Sequence, residues 1–217
     1  MADTRIHPQL DPRKFDHALS GYEEADRDHA VVRARRARQA LADGMGRIIA
    51  ARDALSADGT RTPAEQARQL SETSQTVQRR AVAEASEGEK ALRQRAKRAD
   101  DEIDAALRVV APQEASEVRA YLKSLPSAGA RIDFLRQVIR SGDTATAAAV
   151  LTARPFLSGL DQKAAAMVRQ EAERQVASDS AIVRDAALKA ADEMGQAVRA
   201  FYGQITKVVD ENQAAKA

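Results

Sequence analysis

The 217-residue chain has no cysteine and no tryptophan, four phenylalanines, three tyrosines and six prolines. Without cysteine it has no disulfides, no thiolate metal centre and no cysteine nucleophile. Its longest apolar run, Thr144 to Ala153, is mostly alanine and spans ten residues. A bilayer crossing needs about 18–20, so no membrane partner is expected. Met1-Ala2-Asp3-Thr4-Arg5 offers no apolar stretch, so a secretory signal peptide is not expected either. Charge of one sign is also missing. The 34 basic and 32 acidic residues leave a net charge of +2, which is no nucleic-acid signature by itself.

Alanine supplies 47 residues, against 41 for Leu, Ile, Val and Phe together, and 26 of the basic residues are Arg. Ala, Arg, Glu, Gln and Leu lose least on entering a helix, so this is the composition of long helices. No stretch alternates with period two, which predicts an all-α protein.

The predicted architecture is an elongated helical hairpin plus a third long helix, coiled-coil-like, with a small helical knob inserted. Residues 1–11 read as an extended arm. Asp11-Pro12 then starts a helix, with an N-cap residue and proline at the first position. Phe15, Leu19, Tyr22, Val31, Ala34, Ala37, Leu41, Met45, Ile48 and Leu55 follow in steps of threes and fours, thinning between Tyr22 and Val31. One helix over 12–57 is expected, with kinks at Gly21 or Gly44-Met45-Gly46. Thr62-Pro63-Ala64-Glu65 matches a capping box, opening a second helix that carries Leu70, Val77, Ala81, Ile103, Leu107 and Val110. The hairpin thus spans 12–111.

A turn near residue 59 aligns three charge blocks. Glu23, Glu24 and Asp26 would face Arg93, Arg95, Lys97 and Arg98. Arg13 and Lys14 would face Asp101, Glu102 and Asp104, and Arg33, Arg35 and Arg36 would face Glu84, Glu87 and Glu89. Such exposed pairs specify alignment more than they stabilise.

Residues 112–157 hold a denser apolar set, including Tyr121, Leu122, Phe134, Leu135, Val150, Phe156 and Leu157, broken by Pro126, Gly129, Gly142 and Pro155. Three short helices, about 113–124, 128–140 and 144–153, are expected, with Phe156 and Leu157 as an apolar anchor. Ser158 reads as the N-cap of a long C-terminal helix running to about 211, residues 158–217 being this helix and a tail. Its heptad of Val183, Ala187, Ala190, Met194, Ala197, Phe201, Ile205 and Val208 marks Val183, Met194, Phe201, Ile205 and Val208 as the candidate association face.

Chemistry-bearing motifs are sparse. Asp26 and His29 share a helical face at the i, i+3 spacing of a bundle metal site, but no second Asp-x-x-His or Glu-x-x-His completes it. Nucleophile elbows, phosphate-binding loops and dinucleotide fingerprints are missing from the sequence. Neither enzymatic activity, nor a cofactor, nor a small-molecule substrate is expected. Arg33-Ala34-Arg35-Arg36-Ala37-Arg38 is the sharpest local signal, making Arg33, Arg35, Arg36 and Arg38 candidate nucleic-acid contacts.

The segment from Gly142 to Leu160, an Ala-Val-Leu run followed by Arg154-Pro155-Phe156 and then Leu157-Ser158-Gly159-Leu160, resembles a stretch of uncharacterised helical structural and assembly proteins of tailed bacteriophages and prophages. The resemblance implies a virion or assembly component, present in the bacterial cytoplasm during assembly and then in the particle. The expected function is a structural protein working through helix-mediated protein–protein interaction with itself or other particle proteins. The alternatives are a nucleic-acid-associated packaging protein using the Arg cluster, and a transient capsid-assembly scaffold.

Overall fold

The computed structural model describes residues 6–107 and 112–214. The first five residues of the expected arm and Val110 lie outside them. All regular structure among the described residues is helical. Eight α-helices are resolved there: α1 (Pro12–Ala18), α2 (His29–Ala57), α3 (Pro63–Ala106), α4 (Pro112–Ser124), α5 (Ala128–Arg140), α6 (Thr144–Leu151), α7 (Gln162–Val176) and α8 (Ser178–Ala214). Short 3-10 turns occupy Pro8–Leu10 and Pro155–Ser158.

Several of these helices start where the sequence signals them. The Asp11 carboxylate accepts from the Arg13 N–H and Pro12 follows it. Thr62 and Glu65 close the reciprocal capping box, the Glu65 N–H reaching the Thr62 hydroxyl and the Thr62 N–H reaching the Glu65 carboxylate. Ser127, Asp143 and Asp161 cap α5, α6 and α7.

Two long helices predicted as continuous are divided. In place of one helix over 12–57, the chain leaves α1 at Leu19, turns through Gly21 at φ +90 and restarts at Asp28. The Asp28 carboxylate accepts from the N–H groups of Ala30 and Val31. Gly44 and Gly46, in contrast, lie inside the continuous α2. The C-terminal helix starts later than expected and is broken. Ser158 does not cap it. It is buried, and its hydroxyl has no partner. Gly159, left-handed at φ +67, ends the 3-10 turn there, and α7 follows from Asp161. Ala177 then leaves helical geometry at φ −142. The Ser178-Asp179-Ser180 run explains the break, because such side chains compete with helical backbone bonding.

The chain forms two compact units, 1–96 with 185–217, and 97–184. The boundaries fall inside α3 and α8, whereas the sequence places them near 111 and 157.

In the first unit, α2, the first part of α3 and the last part of α8 enclose Leu41, Met45, Ile48, Leu70, Leu92, Met194 and Phe201. Arg38 touches Glu193, and Gly44 faces Phe201, so α8 runs parallel to α2. Leu10 and Phe15, both fully buried, close one end. Of the expected charge register, Arg33 meets Glu87 at 3.1 Å. The other blocks pair differently, because nearer acceptors lie on their own helix or on an adjoining segment. Arg35 binds Asp16 and Asp26, Arg13 binds Asp11, Arg80 binds Glu84, and Arg93 bridges Glu89 and Asp192.

The second unit buries Ile103, Leu107, Leu122, Leu135, Ile139, Val150, Leu151, Leu160 and Val168. A chain of alternating charges links three helices across it. Asp104 binds Arg169, Arg169 binds Glu173, and Glu173 and Asp100 both bind Arg184. Asp104 is thus committed to Arg169, and Glu102 accepts from the Ser180 hydroxyl. In the first unit, Arg13 takes Asp11 and Lys14 takes Gln9 in place of the expected acidic block.

The carboxylates give the first unit an acid-sensitive edge. Burial opposes the charge on Asp28, but bonds from the Tyr22 hydroxyl (2.6 Å), from Arg95 (2.8 Å) and from two backbone N–H groups outweigh it. Its pKa therefore lies below the ordinary value. The Arg13 side chain and N–H hold Asp11 down to about 2. A depressed carboxylate contributes stability above its unfolded pKa, here 3.8, and loses it as pH falls through the folded value. The melting temperature followed by helical circular dichroism should therefore fall between about pH 4 and 2, with a shallower fall in Asp28→Asn. A pH dependence over this range identical in the parent and Asp28→Asn would contradict the Asp28 pairing.

Candidate association surface

The structure separates the four candidate arginines. Arg38 is fully buried and is not available to nucleic acid. Its Nη1 donates to the Glu193 carbonyl at 2.8 Å, and its Nη2 donates to the carbonyls of Gln9 and Asp11. Burial pushes its pKa down, while Glu193 and Asp11 oppose the shift. Arg35 is half-buried between Asp16 and Asp26, and Arg33 is paired with Glu87. Arg36 alone is exposed with no acceptor among the described residues. The run is therefore mainly structural. Asp26, half of the candidate metal pair, is engaged by Arg35.

The candidate association face is internal as well. Met194, Phe201, Ile205 and Val208 belong to the core of the first unit, and Val183 is 7% exposed in the second. Their periodicity marks a buried face, but the chain itself covers it.

The side chains that remain outside are others. Phe156 is 61% exposed, Tyr121 54% and Leu157 44%, so the expected apolar anchor points into solvent. Two features of the 3-10 turn produce this. Its inward positions go to Ser158 and Leu160, and Gly159 reverses the chain. The Leu157 N–H bonds Arg154, the Gly159 N–H bonds Phe156 and the Leu160 N–H bonds Pro155.

Arg131 of α5 then pins the turn. Its guanidinium donates to the Gly159 carbonyl at 3.0 Å and to the carbonyls of Leu122, Lys123 and Leu125. A cation on the last carbonyls of α4 also suits that helix end electrostatically. The positive φ favours glycine at position 159, and a Cβ there would also sit 3.2 Å from the Arg131 Cζ, so the guanidinium would have to shift. Tyr121, on the last turns of α4, packs edge-on against Phe134 at 5.3 Å between ring centroids. One arginine thus fixes both segments that carry the exposed side chains.

No protein-family model matches the chain, and no curated protein or solved structure matches it.

Aromatic side chains bury roughly 150–250 Å² when covered, so the three together offer on the order of 300 Å². A patch of that size falls within the range of the largest apolar patch on an ordinary monomer, which is often functional. A standard interface takes about 800 Å² from each partner, so this one alone suits a contact strengthened by repetition. Sequence periodicity did not single out Tyr121, Arg131 or Arg154. The available signal was the Arg154-Pro155-Phe156-Leu157 cluster, where proline favours a turn that presents consecutive side chains.

Proposed function

We propose that the chain is a non-enzymatic structural or assembly protein that works by packing against other protein molecules. The observation that carries this reading is the exposed Tyr121, Phe156 and Leu157 set, the two most exposed aromatics beside an exposed leucine, held by the Arg131 clamp while the Met194, Phe201, Ile205 and Val208 stripe of α8 is buried. A preordered apolar turn loses little conformational entropy on docking, which favours binding. The resemblance over Gly142–Leu160 points to a tailed-phage particle as the setting, with the protein in the bacterial cytoplasm during assembly and in the virion afterwards. The nucleic-acid reading is weakened, since only Arg36 of its four arginines is exposed and unengaged.

A photo-crosslinking residue at position 156, in the cell that produces the chain, should yield protein adducts that disappear when the probe is moved to the exposed Lys207 of α8. No adduct at position 156 would overturn the reading. Mass spectrometry of purified particles then separates a retained component from a scaffold that leaves before maturation.

A further inference from the structure

We infer that the Phe156 turn of one copy docks into the groove between α2 and α3 of a second copy, a head-to-tail contact. This rests on the protein–protein packing reading above and names the partner and both surfaces.

The receiving groove lies wholly in the first unit. Ala40, Gly44, Val77 and Ala81 form the floor of a cavity of about 230 Å³, rimmed by Asp43, Arg47, Thr76, Arg80 and Glu84. A neighbouring hollow of about 310 Å³, floored by Ala37 and Ala83 and rimmed by Arg33, Arg36 and Glu87, shares Glu84 with it. At Gly44 the floor is closely packed, with the Val77 Cγ1 3.1 Å and the Phe201 ring 3.5 Å from a Cβ position. About 150 Å³ is enough to hold a benzene ring, so the open groove, apolar at its base and charged around its rim, has room for a phenylalanine side chain.

The rim suits that occupant. Arg36 and Arg47 are exposed and have no acceptor among the described residues. A guanidinium set over an aromatic face gains a cation–π contact. On the other side, Arg154 is exposed beside Phe156 and has no carboxylate partner. Among the described residues, Glu84, between the two hollows, is engaged by an exposed i, i+4 pair with Arg80. Such a pair is weak enough to exchange for Arg154 on docking. The donor turn and the acceptor groove are different surfaces, so the contact is heterologous and lets copies add successively.

The test uses the full chain. Light scattering up to ~1 mM should show mass growing with concentration, since a contact this small implies an affinity in the micromolar-to-millimolar range. Phe156→Asp removes the donor, and Ala40→Trp fills the acceptor. Arg47→Glu is a second acceptor variant with no change in packing. Each should lower the association constant by about tenfold or more while leaving the helical signal intact. An equimolar mixture of Phe156→Asp and Ala40→Trp retains one good donor and one good acceptor, so it should form a 1:1 pair that grows no further. A wild-type monomer at ~1 mM, unchanged association in Phe156→Asp or in both acceptor variants, or a mixture that fails to pair would overturn the inference. Position-156 crosslinks to a different protein would also overturn it, yet leave the packing reading standing.

Discussion

Arg38→Ala should destabilise the first unit by about 3–5 kcal/mol, as expected when buried carbonyls lose their donor and a large side chain leaves a cavity. The guanidinium is fully buried and ties three segments together: the turn at Gln9 and Asp11, α2 itself, and α8 at Glu193. Deleting it leaves carbonyls without their donor and opens a cavity beside Leu10, whose fully buried side chain is held in the same turn. Arg38→Met keeps the apolar stem and should lose less. Arg38→Lys keeps the charge but cannot span carbonyls on two segments with one ammonium, so it should resemble the alanine variant. The melting transition of this unit should drop by roughly 6–20 °C in Arg38→Ala. Amide exchange should rise over residues 7–11, where the His7 N–H to Gln204 and the Gln9 side chain to Glu193 and Gln196 are the remaining polar ties. A melt within about 2 °C of the parent would show that the turn does not depend on Arg38.

That arginine also shows how far the sequence could be read. Helix starts were legible because Asp11-Pro12 and Thr62-Pro63-Ala64-Glu65 each supply a backbone acceptor at the required offset. The three short helices of 112–157 were legible because Pro126, Gly142 and Pro155 bound them. The division of the arginine run was not recognised, although its signal was present. Val31, Ala34, Arg38, Leu41 and Met45 step by 3, 4, 3 and 4, which places Arg38 in the apolar seam and Arg36 off it. Charge composition treats the four residues alike, whereas helical phase separates them. The Met194, Phe201, Ile205 and Val208 stripe shows the opposite limit. Periodicity identifies a face that must be covered but does not say whether this chain or another covers it, and here α8 returns to α2 and α3. Phe156 and Leu157 failed for a third reason. A 3-10 turn has no long repeat, so its inward and outward positions depend on the φ of Gly159 and on Arg131, which is remote in sequence.

The same close packing gives two glycines on facing helices opposite expectations. Gly88 lies in α3, where a Cβ would come within 3.0 Å of the Ala37 Cβ and 3.1 Å of the Ala34 Cα. The second of these is backbone and cannot rotate away, so α2 and α3 would have to separate. An alanine gains about 1 kcal/mol of helix propensity over glycine. Overpacking costs about 1–3 kcal/mol, and the rigid neighbour places Gly88→Ala at the upper end, for a net loss of about 1–2 kcal/mol. Gly88→Val adds two methyl groups against the same wall and should lose about 3 kcal/mol or more. Gly46, inside α2, has nothing within 4 Å of its Cβ position, so Gly46→Ala keeps the propensity gain and should stabilise by about 0.5–1 kcal/mol. Denaturant titrations of the three variants measure the differences directly. Equal stabilisation by Gly46→Ala and Gly88→Ala would mean that α2 and α3 do not approach as closely as Ala34, Ala37 and Gly88 place them. The groove proposed to receive Phe156 depends on that approach, since its walls are these two helices. Gly88→Val should therefore weaken self-association as well as stability, while Gly46→Ala leaves association unchanged.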